Sequence, residues 1–241
     1  MQINTAAAGR GSAWLTDGFS YFKKSAGIWI GACFILLILS AASSVIPFMG
    51  LVFQLFLPVV FAGLILGCQE IDVGGDLNIK HMIAGFNNNS LGSLIMLGVL
   101  YTFWQVLILI AMAILLVITI DGSELVTRLM DKDIQVITEN YLTLIIIILI
   151  GLMLYVPLLM AFWFGPTLII LEDQGAVEAM KNSFKGCLVN MVPFLIYGVV
   201  GMVLSILATI PLMLGWFILT PMIIASHYIA YKDIYKLSDT E

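Results

Sequence analysis

The chain has 241 residues, of which 61% are hydrophobic and 10% charged, with a net charge of −5 and a mean hydropathy of +1.09. A soluble domain carries about 25% charged residues; with so few polar side chains, a water-facing surface cannot be covered, which excludes a soluble enzyme and a disordered regulator. Fifteen acids against ten bases with no basic stripe exclude a nucleic-acid binder, and Cys33, Cys68 and Cys187 have neither metal-ligand nor disulfide-framework spacing, so no cofactor or metal is expected.

In chain order, the first predicted element is an amphipathic helix over 12–24, with Trp14, Leu15, Phe19 and Phe22 on one face before Lys23 and Lys24. No Asp, Glu, Lys or Arg occurs from Ser25 to Gln69, and Pro47 with Gly50 divides this run into spans over 27–46 and 48–68. Ser40-Ala41-Ala42 mimics a cleavage site, but the apolar run continues through it, so processing is not expected there. Gly27 and Gly31 form a GxxxG, and Gly63 with Gly67 offers a second small surface for close helix approach. A second amphipathic helix over 76–86 carries Ile79, Met82, Ile83 and Phe86 at helical spacing.

Two longer spans follow, over 91–120 and 141–171, separated by an acidic segment over 121–140. About 30 residues make roughly 45 Å of helix, too long for a hydrocarbon core of about 30 Å even with strong tilt, so part of this hairpin should bend or project. A small external cap is expected over Gly122 to Thr138. In the fourth span, Phe162-Trp163-Phe164-Gly165-Pro166-Thr167 is the most unusual stretch: with Pro157 upstream, Pro166 should kink the helix and free backbone carbonyls. Pro157, Trp163 and Pro166 thus read as the wall of a lipid or substrate groove, or as an interfacial anchor. A third amphipathic helix over 175–188 carries Lys181, Phe184 and Lys185, and spans over 190–210 and 212–231 close the chain around Pro211.

The expected architecture is therefore all-α: a single integral membrane domain over 1–241, a transmembrane bundle of six spans. Arg10, Lys23, Lys24, Lys80, Lys181, Lys185, Lys232 and Lys236 fall on one side and only Arg128 and Lys132 on the other, which places both termini in the cytoplasm. Ile46-Pro47-Phe48-Met49 and Ile210-Pro211-Leu212-Met213 align, each followed by a proline further on, at Pro58 and Pro221. The units end in Glu70 and Asp72, Glu172 and Asp173, and Lys232 and Asp233, suggesting three repeats of an amphipathic helix plus a helical hairpin.

No span holds an ionisable side chain except His227, read as an interfacial residue beside Tyr228 and Tyr231, so ion-coupled transport and intramembrane catalysis are not expected. The residues read as meeting the lipid interface are Trp14, Phe19, Lys23, Lys24, Lys181, Phe184 and Lys185, with basic side chains near anionic headgroups.

Trp14-Leu15-Thr16-Asp17-Gly18-Phe19, Ala161-Phe162-Trp163-Phe164-Gly165-Pro166, Ser183-Phe184-Lys185-Gly186-Cys187 leading to Asn190, and Ala230-Tyr231-Lys232-Asp233-Ile234 resemble an uncharacterised family of proteobacterial six-span inner-membrane proteins. That family is similar to the membrane domain attached to some glycerophosphoryl diester phosphodiesterases. The resemblance implies a bacterial inner-membrane protein of unassigned activity; the phosphodiesterase domain is absent, and its hydrolysis is not implied. The expected function is non-enzymatic, organising membrane lipids or a protein partner in envelope maintenance, with a homo-oligomer as one possible partner. The alternative is a facilitator or channel-like transporter of a neutral or amphipathic solute.

Overall fold

A computed structural model describes residues 1–120, 127, 128, 130, 131 and 135–236. Every regular element among them is helical. The helices are α1 (Arg10–Lys24), α2 (Ala26–Val45), α3 (Met49–Asp72), the short α4 (His81–Ala84) running into a 3-10 turn at Gly85–Asn87, α5 (Leu91–Ile120) and α6 (Gln135–Glu139). They continue with α7 (Tyr141–Trp163), α8 (Gly165–Glu172), α9 (Ala176–Val189), α10 (Met191–Thr209) and α11 (Trp216–Tyr235). Among the described residues, five helical segments are long and apolar enough to cross a membrane: α2, α3, α5, the run from Tyr141 to Glu172, and α10. They fit an integral multi-pass membrane protein.

The chain divides into two compact units, Met1–Val99 with Met160–Glu241, and Leu100–Leu159. In the smaller unit α5 and α7 expose apolar side chains along their lengths; Ile118 is 75% and Met153 71% exposed. Within it the hydroxyls of Tyr101 and Tyr155 pair at 2.8 Å. The expected cap over Gly122 to Thr138 lies largely outside the described residues; of its surroundings, α6 is helical and Arg128 pairs with Glu139 at 2.7 Å.

The larger unit has its core at one end. Buried residues occupy the start of α2 (Trp29, Ala32), the later part of α3 (Val59 to Ile71), all of the interior of α8 and the length of α11 from Leu219. The opposite halves are open, as at Ile38 (64% exposed) and Leu212 (90%). Large apolar side chains left outside on this scale are tolerated only where hydrocarbon replaces water.

α11 is the centre of this core. It falls outside the five apolar segments because its second half carries His227, Tyr228, Tyr231, Lys232 and Asp233. Enclosed by neighbours, it has no need to be apolar all round. α1 runs antiparallel along it: Arg10 meets Asp233 and Gly18 sits against Met222 and Ser226. A Cβ on Gly18 would lie 2.5 Å from the Met222 carbonyl oxygen, so only glycine permits this approach. The buried residues of α1, Gly11, Trp14, Leu15, Gly18 and Phe22, form one stripe at helical spacing.

The long fourth apolar run is interrupted where the sequence places Pro166. α7 stops at Trp163, Phe164 lies outside the helices, and Pro166 occupies the first turn of α8, where its missing N–H costs nothing. The interrupted bond is repaired from elsewhere: the Ser183 hydroxyl donates to the Met160 carbonyl (2.6 Å) and accepts from the Phe164 N–H (2.9 Å), spanning the pair that an unbroken helix would have joined directly. Both proline hairpins turn through a left-handed residue immediately after the proline, Phe48 (φ 65°) and Leu212 (φ 51°).

Candidate functional site

α3 and α8 both run in the direction of α11, so their C-terminal ends meet beside its last two turns. Helix C-termini carry partial negative charge. Here each also ends on an acid, Asp72 and Glu172, which makes cations at this place necessary. α11 supplies them: Lys232 Nζ lies 2.6 Å from Asp72 Oδ2, and Lys236 Nζ 2.6 Å from Glu172 Oε1. A third pair comes from α1, whose Arg10 Nε donates to Asp233 Oδ2 at 2.6 Å; the bond to Asp233 raises the guanidinium pKa above its ordinary value.

Aromatic hydroxyls knit these pairs together. Tyr21 (2.6 Å) and Tyr228 (3.2 Å) donate to Asp72, and Tyr231 donates to Glu172. Burial, then the bond to Asp72, pushes the Tyr21 phenol well above its usual range. Lys232 and Lys236 also lie over the rings of Tyr228 and Tyr231, each 5.8 Å from the centroid.

Between these groups is a cavity of about 940 Å³, bounded by the ends of α3, α8 and α11 and by the N-terminal residues Asn4 to Ala6. That last wall is pinned in place. Asn4 N–H donates to the Ile234 carbonyl (2.8 Å), and the fully buried Asn190 amide accepts from Ala6 N–H (2.7 Å) and donates to the Asn4 carbonyl (3.0 Å).

Deeper in the same unit, His227 is 3% exposed and bonded to Thr167 Oγ1 at 2.9 Å, within a nest of Phe61, Trp163 and Phe164. It is therefore a core residue rather than an interfacial one. Tyr197 and Ser226 pair at 2.9 Å, and Trp163 Nε1 is buried with no hydrogen-bond partner among the described residues.

The residues singled out from sequence are distributed as follows. Trp14 is fully buried, its ring against Phe194 and Tyr197 and its Nε1–H donating to Asp233 at 2.7 Å, so protein covers it where lipid was expected. Phe19 is exposed and stacks on Phe22, with Lys23 over its ring, and Lys24 lies over Tyr21. Lys181 and Lys185 are exposed and Phe184 is half-buried on α9, where burial pushes the Cys187 thiol up to about 12. Pro157 is exposed in the smaller unit, while Trp163 and Pro166 belong to the larger one, and none of the three lines the 940 Å³ cavity. Gly27 and Gly31 face open space, whereas Gly63 and Gly67 receive His81 and Leu77.

Sequence reasoning missed the charged cavity because it read Arg10, Asp72, Glu172, Lys232, Asp233 and Lys236 only as markers of topology. The available signal was that every proposed unit ends in charge. Among the described residues no three His, Cys, Asp or Glu side chains gather as metal ligands. No family model, curated protein or solved structure matches the chain.

Proposed function

We propose that the chain is a bacterial inner-membrane protein of six spans with both termini cytoplasmic, which organises lipids or a protein partner in envelope maintenance and performs no catalysis. The observation that carries this reading is the charged cavity at the ends of α3, α8 and α11, where the apolar segments that end at Asp72 and Glu172 give way to charged side chains, a change of composition suited to the headgroup layer. The exposed Phe19 with Lys23 and Lys24, and Lys181 with Lys185 on α9, provide an amphipathic rim suited to anionic lipid. α11 supplies the sixth span, its polar half sheltered by α1, α3 and α8. The matching left-handed turns after Pro47 and Pro211 support a shared origin for the first and last hairpins, and kinship with the inner-membrane family named above is part of the proposal.

The test is direct. The full chain, purified in mild detergent and washed extensively, retains phospholipid by mass spectrometry or brings down one partner reproducibly. Retention of neither abandons the reading. A second reading, passive passage of a neutral or amphipathic solute, draws on the polar pairs Thr167 with His227 and Tyr197 with Ser226 inside the helices. Uptake into proteoliposomes abolished by His227→Phe would favour it.

A further inference from the structure

The 940 Å³ cavity contains both signs of charge, and the donors and acceptors its ion pairs leave unused indicate what it takes. Arg10 spends Nε on Asp233 and Nη1 on Asp17, which leaves Nη2 without a protein acceptor among the described residues. Lys232 and Lys236 each spend one ammonium hydrogen, on Asp72 and Glu172, of the three available. On the acidic side, Asp72 is engaged at both oxygens: Oδ1 accepts from Tyr21 and Oδ2 from Tyr228 and Lys232. Asp233 is not, since Arg10 and Trp14 both bond Oδ2 and no described residue donates to Oδ1. All four groups are partly open, with side-chain exposures of 36% for Arg10, 40% for Lys232, 52% for Lys236 and 27% for Asp233.

These spare valences call for a ligand with a compact anion and a separate cation. A simple anion would compete with Asp72, Asp233 and Glu172 for cations already claimed, and a simple cation would meet three positive side chains. A molecule carrying both leaves each pair neutral while using its unused lone pairs and hydrogens. The volume lies within the range of small-ligand cavities, about 300 to 1,000 Å³.

We propose that this cavity binds a phosphate ester bearing a primary ammonium group, the chemistry of phosphoethanolamine, with the ammonium on Asp233 Oδ1 and the phosphate among Lys232, Lys236 and Arg10 Nη2. The assignment rests on the lipid-organising reading above and deepens it. It separates two kinds of contact. The rim lysines on α1 and α9 favour anionic headgroups, whereas the cavity favours a zwitterionic one.

The experiment is native mass spectrometry of the delipidated full chain titrated with an equimolar mixture of palmitoyl-oleoyl phosphatidylethanolamine and phosphatidylglycerol, with a parallel thermal-shift titration using soluble glycerophosphoethanolamine. The first lipid bound should be phosphatidylethanolamine by about tenfold over phosphatidylglycerol, a factor equal to about 1.4 kcal/mol. Asp233→Asn, which keeps an acceptor for Trp14 and Arg10 but presents an amide to the ammonium, should bring that ratio to about one. If this variant fails to fold, Lys236→Gln on the exposed rim replaces it and should weaken phosphatidylethanolamine binding several-fold. A thermal shift with glycerophosphoethanolamine equal to that with the diacyl lipid makes a soluble ester the source; a shift with the diacyl lipid alone makes the membrane the source. Equal binding of the two lipids by the unaltered chain, or a ratio unmoved by Asp233→Asn, overturns the proposal while leaving the lipid-organising reading intact. Absence of any bound lipid overturns the proposal; it removes the reading above as well only where no partner is brought down either.

Discussion

Lys232 Nζ stands 2.6 Å from Asp72 Oδ2, joining the end of α11 to the end of α3 across 160 positions of sequence. The two partners are not equivalent. Asp72 also accepts from Tyr21 and Tyr228, so it is the hub and Lys232 one of three spokes. Lys232→Met should cost about 1 kcal/mol, typical of a half-exposed pair, while Asp72→Ala, which orphans three donors, should cost about 2 to 3 kcal/mol. Thermal unfolding in detergent orders the two variants.

The same hub predicts an alkaline limit. Tyr21 has its pKa raised above the ordinary 10.0, first by burial and then by Asp72. A raised folded value means that the unfolded chain releases the proton first, so the stabilisation is complete below pH 10 and is lost as pH rises beyond it. Melting temperature should fall above about pH 10, and the fall should be shallower in Tyr21→Phe. An identical slope in the variant contradicts this account.

Ser183 bridges the break between α7 and α8 with two hydrogen bonds. Ser183→Ala leaves the Phe164 N–H and the Met160 carbonyl without that hydroxyl and should destabilise by about 2 to 3 kcal/mol. Chemical denaturation of the purified variant measures it.

Glycines of similar sequence context should behave oppositely. Gly18→Ala drives a methyl into the Met222 carbonyl and the Ser226 amide, 2.5 and 2.8 Å away, and should unseat α1 from α11. Gly27→Ala meets nothing within 4 Å, so it should stabilise α2 by up to about 1 kcal/mol through helix propensity. Paired melting curves give the sign of each.

At Phe48, with φ of 65°, a branched side chain is strongly disfavoured. Phe48→Ile should destabilise by about 1 to 2 kcal/mol, and Phe48→Gly should not. Equal losses in both variants would show that the phenyl ring, rather than the backbone, matters at this turn.

The apolar helices were readable because their signal is local. A run free of charge from Asn87 to Ile120 leaves little choice but a long helix, observed as Leu91–Ile120, and Pro166 marked the break in the next run. Where a sixth span was expected over 212–231, a helix is observed at Trp216–Tyr235, but it is not among the segments apolar enough to cross a membrane, because protein neighbours permit polar residues in its second half. Trp14 was harder: a tryptophan on an amphipathic face looks the same whether lipid or another helix covers it. The cavity was hidden for a related reason. Arg10 and Asp233, or Lys236 and Glu172, are ordinary interfacial charges when read singly, and nothing local records that three helices bring them together. Residues of the quoted motifs do meet, since Trp14 bonds Asp233 and the Phe164 N–H bonds the Ser183 hydroxyl.

The one-sided core of the larger unit divides its helices between two surroundings. Protein contacts define the end where the later half of α3, α8 and α11 meet, while α2 and the first half of α3 expose side chains such as Ile38 and Val52. The charged cavity lies at the end that protein contacts define, so its walls are held by the chain's own ion pairs and hydrogen bonds whatever surrounds the apolar halves.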